Sequence, residues 1–219
     1  MPTILNDAEA RVLGALVEKQ VTTPEYYPLT LNALVQACNQ KNNRNPVVTY
    51  SEATVSDAIE SLRAKNLVYV FYGSTSRVPK YKHMMPEVFD LSPQELAILC
   101  VLMLRGYQTI GELRTRAERL YNFSSLQEVE EALNSLAAKE PDSLVLKLPR
   151  QPGQKETRYA HLLSGEIDLS HFSEAEQTEA TEQYSRRDRI LALEQEVESL
   201  RAVIEAMRQE FAEFKKQFE

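Results

Sequence analysis

The chain has 219 residues, of which 25 are basic and 32 acidic, and its formal net charge is −7. This length is enough for two small domains and an appended segment. The acidic balance excludes the strongly basic footprint that is typical of nucleic-acid-binding proteins, and no apolar run reaches the roughly 18 residues of a membrane span. The first residues lack the basic and apolar regions of a signal peptide, so we expect a cytoplasmic protein without membrane contact.

The charge is distributed unevenly along the chain. Residues 1–86 carry 9 basic and 7 acidic residues, residues 87–163 carry 9 and 11, and residues 164–219 carry 7 and 14. The C-terminal segment therefore accounts for the net acidity, and only the first part is slightly basic.

The first helix is predicted from Asn6, which forms a capping box with Glu9, to about Lys19. A connector with two prolines follows, and Thr30 caps a second helix. Residues 39–46 form a polar turn before a third helix that begins at Ser51.

The third helix and the segment after it recur later in the chain. Residues 55–65 and 129–139 each carry an apolar stripe at positions i, i+3, i+4 and i+7. A β-prone run follows each helix, at 67–72 and 144–148, and leads through a turn to a Tyr-x-His motif at 81–83 and 159–161. A helix followed by a two-stranded hairpin is typical of the second half of a winged helix.

The second copy also contains the earlier helices. Ser92 with Glu95, Thr109 with Glu112, and Ser125 with Glu128 are each spaced as capping boxes. The sequence therefore predicts a mainly α fold with small β wings, of the α+β class, built from two tandem winged-helix domains at residues 1–86 and 87–163.

A linker and a long helix are predicted after the second domain. Residues 164–185 read as an acidic linker, and residues 186–219 contain heptads typical of a coiled-coil helix. We expect this helix to form a homodimer, and the alternative is that it folds back on its own chain. The predicted self-association positions are Ile190, Leu193, Val197, Leu200, Ile204, Met207, Phe211, Phe214 and Phe218.

Residues 23–34, 38–47 and 81–83 resemble the YceH-like family of uncharacterised bacterial proteins. The resemblance covers roughly residues 5–163 and implies tandem winged helices in the bacterial cytoplasm, without implying an activity. Its most specific stretch is the loop that contains Asn39, Gln40, Lys41, Asn43, Arg44, Pro46 and Val47.

The sequence gives little support for catalysis. His83, His161 and His171 do not stand at metal-ligand spacing with the two cysteines, and no Gly-rich phosphate-binding motif is present. We therefore expect no enzymatic activity, no metal site and no cofactor.

Binding of double-stranded DNA through the first domain is the leading hypothesis. The third helices carry many carboxylates, which phosphates repel, so contact is assigned to the turn and the wing. The candidate residues are Lys41, Asn43 and Arg44 in the turn and Arg77, Lys80 and Lys82 in the wing. For the loop 39–47, the alternatives are a structural role that ties the turn to the rest of the domain, and contact with a protein or small ligand.

A protein-interaction adaptor is the second hypothesis, supported by the acidic second domain and the C-terminal heptads. Arg114, Arg116 and Arg119 on the middle helix of that domain read as a solvated face, or as contacts to a phosphate backbone.

Overall fold

The computed structural model describes residues 4–72, 78–150, 156–165 and 167. All of them belong to one compact unit, Met1–Ile167. Within the described residues, none of the helices combines the length and the apolar character that crossing a bilayer requires.

The first repeat combines three helices with a three-stranded antiparallel sheet. The sheet order is β1-β3-β2, so the last strand lies in the middle. A 3-10 turn at Pro24–Tyr26 precedes the first strand. The elements are α1 (Asp7–Thr22), β1 (Leu29–Thr30), α2 (Leu31–Cys38), α3 (Glu52–Ala64), β2 (Val68–Phe71) and β3 (Lys80–His83).

The second repeat has the same element order and the equivalent sheet order, β4-β6-β5. A short helix, α4 (Met85–Phe89), joins the repeats and spans the predicted boundary between residues 86 and 87. The α+β class is therefore confirmed, whereas α4 and the short strands β1 and β4 were missed. The remaining elements are α5 (Pro93–Arg105), β4 (Gln108–Thr109), α6 (Ile110–Ala117), α7 (Leu126–Ala137), β5 (Val145–Lys147) and β6 (Arg158–His161).

The six predicted N-caps all accept a hydrogen bond from the backbone of the first helical turn. They are Asn6, Thr30, Ser51, Ser92, Thr109 and Ser125. The capping box predicted at Ser125 is only half formed, because the Glu128 carboxylate accepts from the Ser124 backbone and hydroxyl and from Tyr121 instead.

The first helices of the two repeats, α1 and α5, pack against each other at equivalent positions. The Cys100 thiol lies 3.4 Å from the Gly14 carbonyl oxygen, and these residues are 86 positions apart in the chain. A Cβ atom on Gly14 would lie 3.0 Å from Leu104, while Cys100 lies beside the backbone of Glu18, the equivalent of Leu104 in the first repeat. The contacts are thus reciprocal, as in the isologous interface of a two-fold dimer.

Each first helix is also tied to the third helix of its own repeat through a buried glutamate. The Lys65 ammonium lies 2.6 Å from Glu9, and the Lys139 ammonium lies 3.6 Å from Glu95, to which the Ser135 hydroxyl donates at 2.7 Å. Burial alone would raise the pKa of both carboxyl groups, but their hydrogen bonds outweigh it and lower the pKa below its ordinary value. The capping glutamates therefore also fasten each repeat internally.

Candidate nucleic-acid interface

The loop at residues 39–47 is held against α1 by a buried arginine. The Arg44 side chain has no exposed surface, and its guanidinium donates to both carboxylate oxygens of Glu18, at 3.0 and 2.6 Å. The same group donates to the carbonyl oxygens of Ala37 and Asn43, at 2.8 and 2.9 Å. Such a bidentate, enclosed arrangement serves to fix the geometry of the loop.

Four further hydrogen bonds attach this loop to its surroundings. The Asn39 amide donates to the Tyr50 carbonyl at 2.8 Å and accepts from the Tyr50 backbone N–H at 2.7 Å. Arg11 of α1 is buried and donates to the Cys38 and Pro46 carbonyl oxygens. The structure thus agrees with the alternative that the loop ties the turn to the rest of the domain.

The loop also reaches the second repeat at the end of α5. Asn43 lies in the left-handed region at φ 61° and accepts a hydrogen bond from Arg105. The backbone N–H of Asn45 donates to the Leu104 carbonyl at 2.9 Å. The loop therefore bridges the two repeats.

The expectation that Arg44 is an exposed cation available to a phosphate is wrong, because Glu18 and two carbonyl groups enclose its guanidinium. The amide oxygen of Asn43 is likewise engaged by Arg105. Of the loop residues, Lys41 is exposed, as is Val47. Asn39, Asn43 and Arg44 thus serve internal hydrogen bonding, whereas Asn42 and Asn45 are exposed like Lys41.

The wing of the first repeat presents a different arrangement. In the antiparallel pair of β2 and β3, Tyr69 stands opposite Lys82 and Phe71 opposite Lys80. Residues directly opposite share one face of a sheet, and here the alternating residues Val68 and Tyr81 are buried on the other face. Tyr69 is 60% exposed and Phe71 is 47% exposed, so both rings face solvent.

We name this set of Tyr69, Phe71, Lys80 and Lys82 the aromatic-lysine face. Both lysines are half-buried, and the Lys82 ammonium lies 3.8 Å from Glu87, a distance at which a partly exposed ion pair contributes little. Arg77, the third predicted cation of the wing, lies outside the described residues. The two rings were missed as candidates, although the alternation of Val and aromatic residues in 67–72 places both rings on one face of the strand.

The exposed surface of α3 is acidic in character. Glu52, Asp57 and Glu60 face solvent, and the cation Arg63 is held by Glu60 at 2.8 Å. This surface repels phosphates, so the sheet side of the first repeat is the better candidate for contact with an anionic polymer.

The Tyr-x-His motif of the first repeat is part of the packing. His83 is buried, its Nδ1 accepts from the Met85 backbone N–H at 3.4 Å, and its Nε2 pairs with the Gln20 side chain. This network assigns a neutral ring with the proton on Nε2, and burial lowers the pKa of His83 to about 4. Among the described residues, no group of His, Cys, Asp and Glu side chains is arranged to hold a metal ion.

The predicted self-association residues of the heptad segment, Ile190 to Phe218, lie outside the described residues. Their pairing within or between chains stays a prediction from the heptad spacing.

Comparison with known proteins gives a consistent result. A family model described as a protein of unknown function, DUF480, matches residues 5–154. The chain is similar to UPF0502 proteins of Geobacter sulfurreducens, at 51% identity over 100% of both chains, and of Citrifermentans bemidjiense, at 56% identity over 90% of both chains. A UPF0502 protein of Opitutus terrae is 52% identical over 90% of this chain and 84% of its own.

Proposed function

The chain belongs to the DUF480 family of bacterial proteins, which includes the UPF0502 proteins, and since that description carries no activity, we propose a function from the geometry. The proposed function is non-enzymatic nucleic-acid binding in the cytoplasm, performed by two winged-helix units through the aromatic-lysine face of the first. The order helix, strand, helix, helix, strand, strand and the sheet order β1-β3-β2 support the winged-helix assignment.

The cross-strand pairing on the aromatic-lysine face carries this proposal. Exposed aromatic rings offer flat surfaces on which unpaired bases stack, and every base has such a face. Lysines opposite those rings provide cations that can neutralise the phosphates of the backbone. Tyr69 with Lys82 and Phe71 with Lys80 form two adjacent units of this kind.

This arrangement favours single-stranded segments over duplex. Bases within a duplex are already stacked and present only their edges in the grooves. The duplex contact expected from the sequence included Arg44, which is buried, and the acidic third helix of the first repeat offers no substitute for it. Within the described residues the second repeat lacks an equivalent surface, since Leu146 stands opposite the buried Ala160 where the first repeat has Tyr69 opposite Lys82.

The test is fluorescence anisotropy of a 5′-labelled oligonucleotide of about 20 nucleotides, single-stranded or as a duplex, across a salt series. Lys80→Gln with Lys82→Gln is expected to weaken single-strand binding and to lower the slope of log affinity against log salt by roughly 1.4. Tyr69→Ala with Phe71→Ala is expected to weaken binding tenfold or more at a similar slope, at ~1 to 3 kcal/mol per stacked base.

Lys147→Gln is the matched control, because this exposed lysine lies on β5, the strand equivalent to β2. It is expected to retain full binding. Equal binding by wild type and both double variants would reject the aromatic-lysine face as the interface.

A protein-interaction adaptor is the second proposal, favoured by exposed apolar residues next to this face. Tyr72 and Val78 are 67% and 53% exposed and extend the apolar surface beyond Phe71. In this case neither oligonucleotide binds, even at low salt. We also propose that the heptads at residues 186–219 pair two chains, which would present two aromatic-lysine faces on one nucleic-acid strand and raise the affinity by avidity.

A further inference from the structure

A cleft between the two repeats brings three arginines together. Its wall is formed by α1, the loop 39–47, the end of α5 and the residues around the end of α6, and it encloses a volume of about 40 Å³. Arg105, Arg116 and Arg119 line it. They share the wall with Glu18, Thr22 and Asn43, and with the apolar residues Cys100, Val101, Leu104 and Leu120.

The carboxylates near these arginines are already engaged. Glu18 is bound in bidentate fashion by Arg44. Glu112 is shared between Arg116, at 3.1 Å, and Arg158, at 3.4 Å. Two carboxylates therefore serve several guanidinium groups, and the cleft keeps an excess of positive charge in a chain whose net charge is −7.

The guanidinium groups also keep unused donors. Each carries five N–H donors. Arg105 donates to Asn43, and Arg116 donates to Gln108 and pairs with Glu112, whereas Arg119 is exposed and has no ion-pair partner among the described residues. The pKa of Arg105 is lowered by burial and further by the charges of Arg116 and Arg44, as expected where cations crowd together.

We propose that this cleft binds the phosphate group of a small phosphorylated ligand. Forked guanidinium donors match the oxygens of a phosphate, and two or three arginines are a common recognition device for it. The apolar residues of the wall, among them Val101 and Leu104, would contact a small non-polar part of the ligand.

The position of the cleft couples the ligand to the arrangement of the repeats. Arg105 belongs to α5 and is already bonded to Asn43 of the first repeat, while Arg116 lies in the last turn of α6 and Arg119 follows the end of that helix. A phosphate bound by all three would join the same elements that the loop 39–47 joins. This inference is independent of the proposed function, because none of the residues of the aromatic-lysine face lines the cleft.

Thermal unfolding of the full chain with increasing pyrophosphate is the test, with inorganic phosphate tested alongside and sodium chloride added to equal ionic strength. A saturable rise in Tm with pyrophosphate beyond that with chloride is expected for wild type. Arg116→Gln with Arg119→Gln should weaken this apparent affinity roughly tenfold or more, as charge-assisted hydrogen bonds to phosphate are lost. Arg63→Gln with Lys147→Gln, which removes the same charge elsewhere on the surface, should not.

Arg119→Glu provides a second variant, because the exposed Arg119 has no bond among the described residues that its replacement would break. It is expected to fold like wild type and to lose the pyrophosphate effect. A wild type that responds to pyrophosphate no more than to chloride, or a charge-matched control that loses as much as the cleft variants, would overturn the proposal. It would also be overturned if Arg119→Glu left pyrophosphate binding intact but weakened oligonucleotide binding, since the cleft would then belong to a nucleic-acid interface.

Discussion

Replacing Arg44 by alanine is expected to lower the free energy of unfolding, and the contacts of Arg44 set the size of the loss. The substitution leaves the Glu18 carboxylate, only 12% exposed, without its bidentate partner. It also removes the donor to the Ala37 carbonyl. Removing one partner of a buried ion pair costs ~3 to 5 kcal/mol, and the slight exposure of Glu18 places the expected loss near ~3 kcal/mol.

The measurement is urea denaturation followed by far-UV circular dichroism, since the chain contains no Trp. A double-mutant cycle with Glu18→Gln isolates the pair, and a coupling of ~1 to 3 kcal/mol is expected for residues in direct contact. Lys41→Ala is the control from the same loop, and this exposed residue should change the unfolding free energy by less than ~0.5 kcal/mol. A loss below ~1 kcal/mol for Arg44→Ala at an unchanged m-value would refute the structural role of this arginine.

Three further predictions concern pH, packing and assembly. Burial lowers the pKa of both His83 and His161 to about 4. The unfolded state therefore binds protons at a higher pH than the folded state, and the free energy of unfolding falls as the pH drops from 6.5 towards 4, by up to ~3 kcal/mol for the fully buried His83. The urea midpoint of His83→Gln should vary less with pH than that of wild type, and an equal dependence would contradict this. Gly14→Ala should destabilise by ~1 kcal/mol in the same assay, because its Cβ would lie 3.0 Å from Leu104 and overpacking outweighs the better helix propensity. An unchanged or raised midpoint would show that the Leu104 side chain moves aside, and would contradict tight packing at this position. Leu200→Asp should convert a dimer to a monomer in light scattering, and a wild-type chain that is already monomeric would exclude pairing through the heptads.

The sequence was sufficient for the elements that depend on local chemistry. Six N-caps were identified because a Ser, Thr or Asn before an amphipathic run has one dominant structural use. The duplication and both hairpins followed from the repeated spacing of apolar residues. The short strands β1 and β4, each of two residues, were missed because their pairing is with β3 and β6, far along the chain, and leaves no local pattern.

The candidate site was harder to predict, for a physical reason that Arg44 illustrates. A polar loop rich in Asn and Arg has the same composition whether its side chains contact a phosphate or its own backbone. Only the position of Glu18, on another element, decides between these outcomes. Tyr69 and Phe71 presented the opposite problem, since aromatic residues in a strand are usually buried and the register with Lys80 and Lys82 is a tertiary property.

Comparing equivalent positions of the two repeats distinguishes residues that the fold requires from residues that it does not. Where the repeats agree, the shared residues are buried and fasten one helix to the next, as Glu9 with Lys65 and Glu95 with Lys139 do. The symmetry breaks at two surfaces, the aromatic-lysine face of the first sheet and the arginine cleft at the end of α6.

A fold that needs only the shared residues leaves the two copies free to acquire different surfaces. Tyr69 and Phe71 are exposed, and Arg119 has no ion-pair partner among the described residues. The packing of the fold requires neither feature. Exposing large apolar rings, or crowding cations around few carboxylates, costs stability and solubility without any gain inside the fold. Binding of a partner at these surfaces would offset that cost, and this is why both proposals are placed where the repeats diverge.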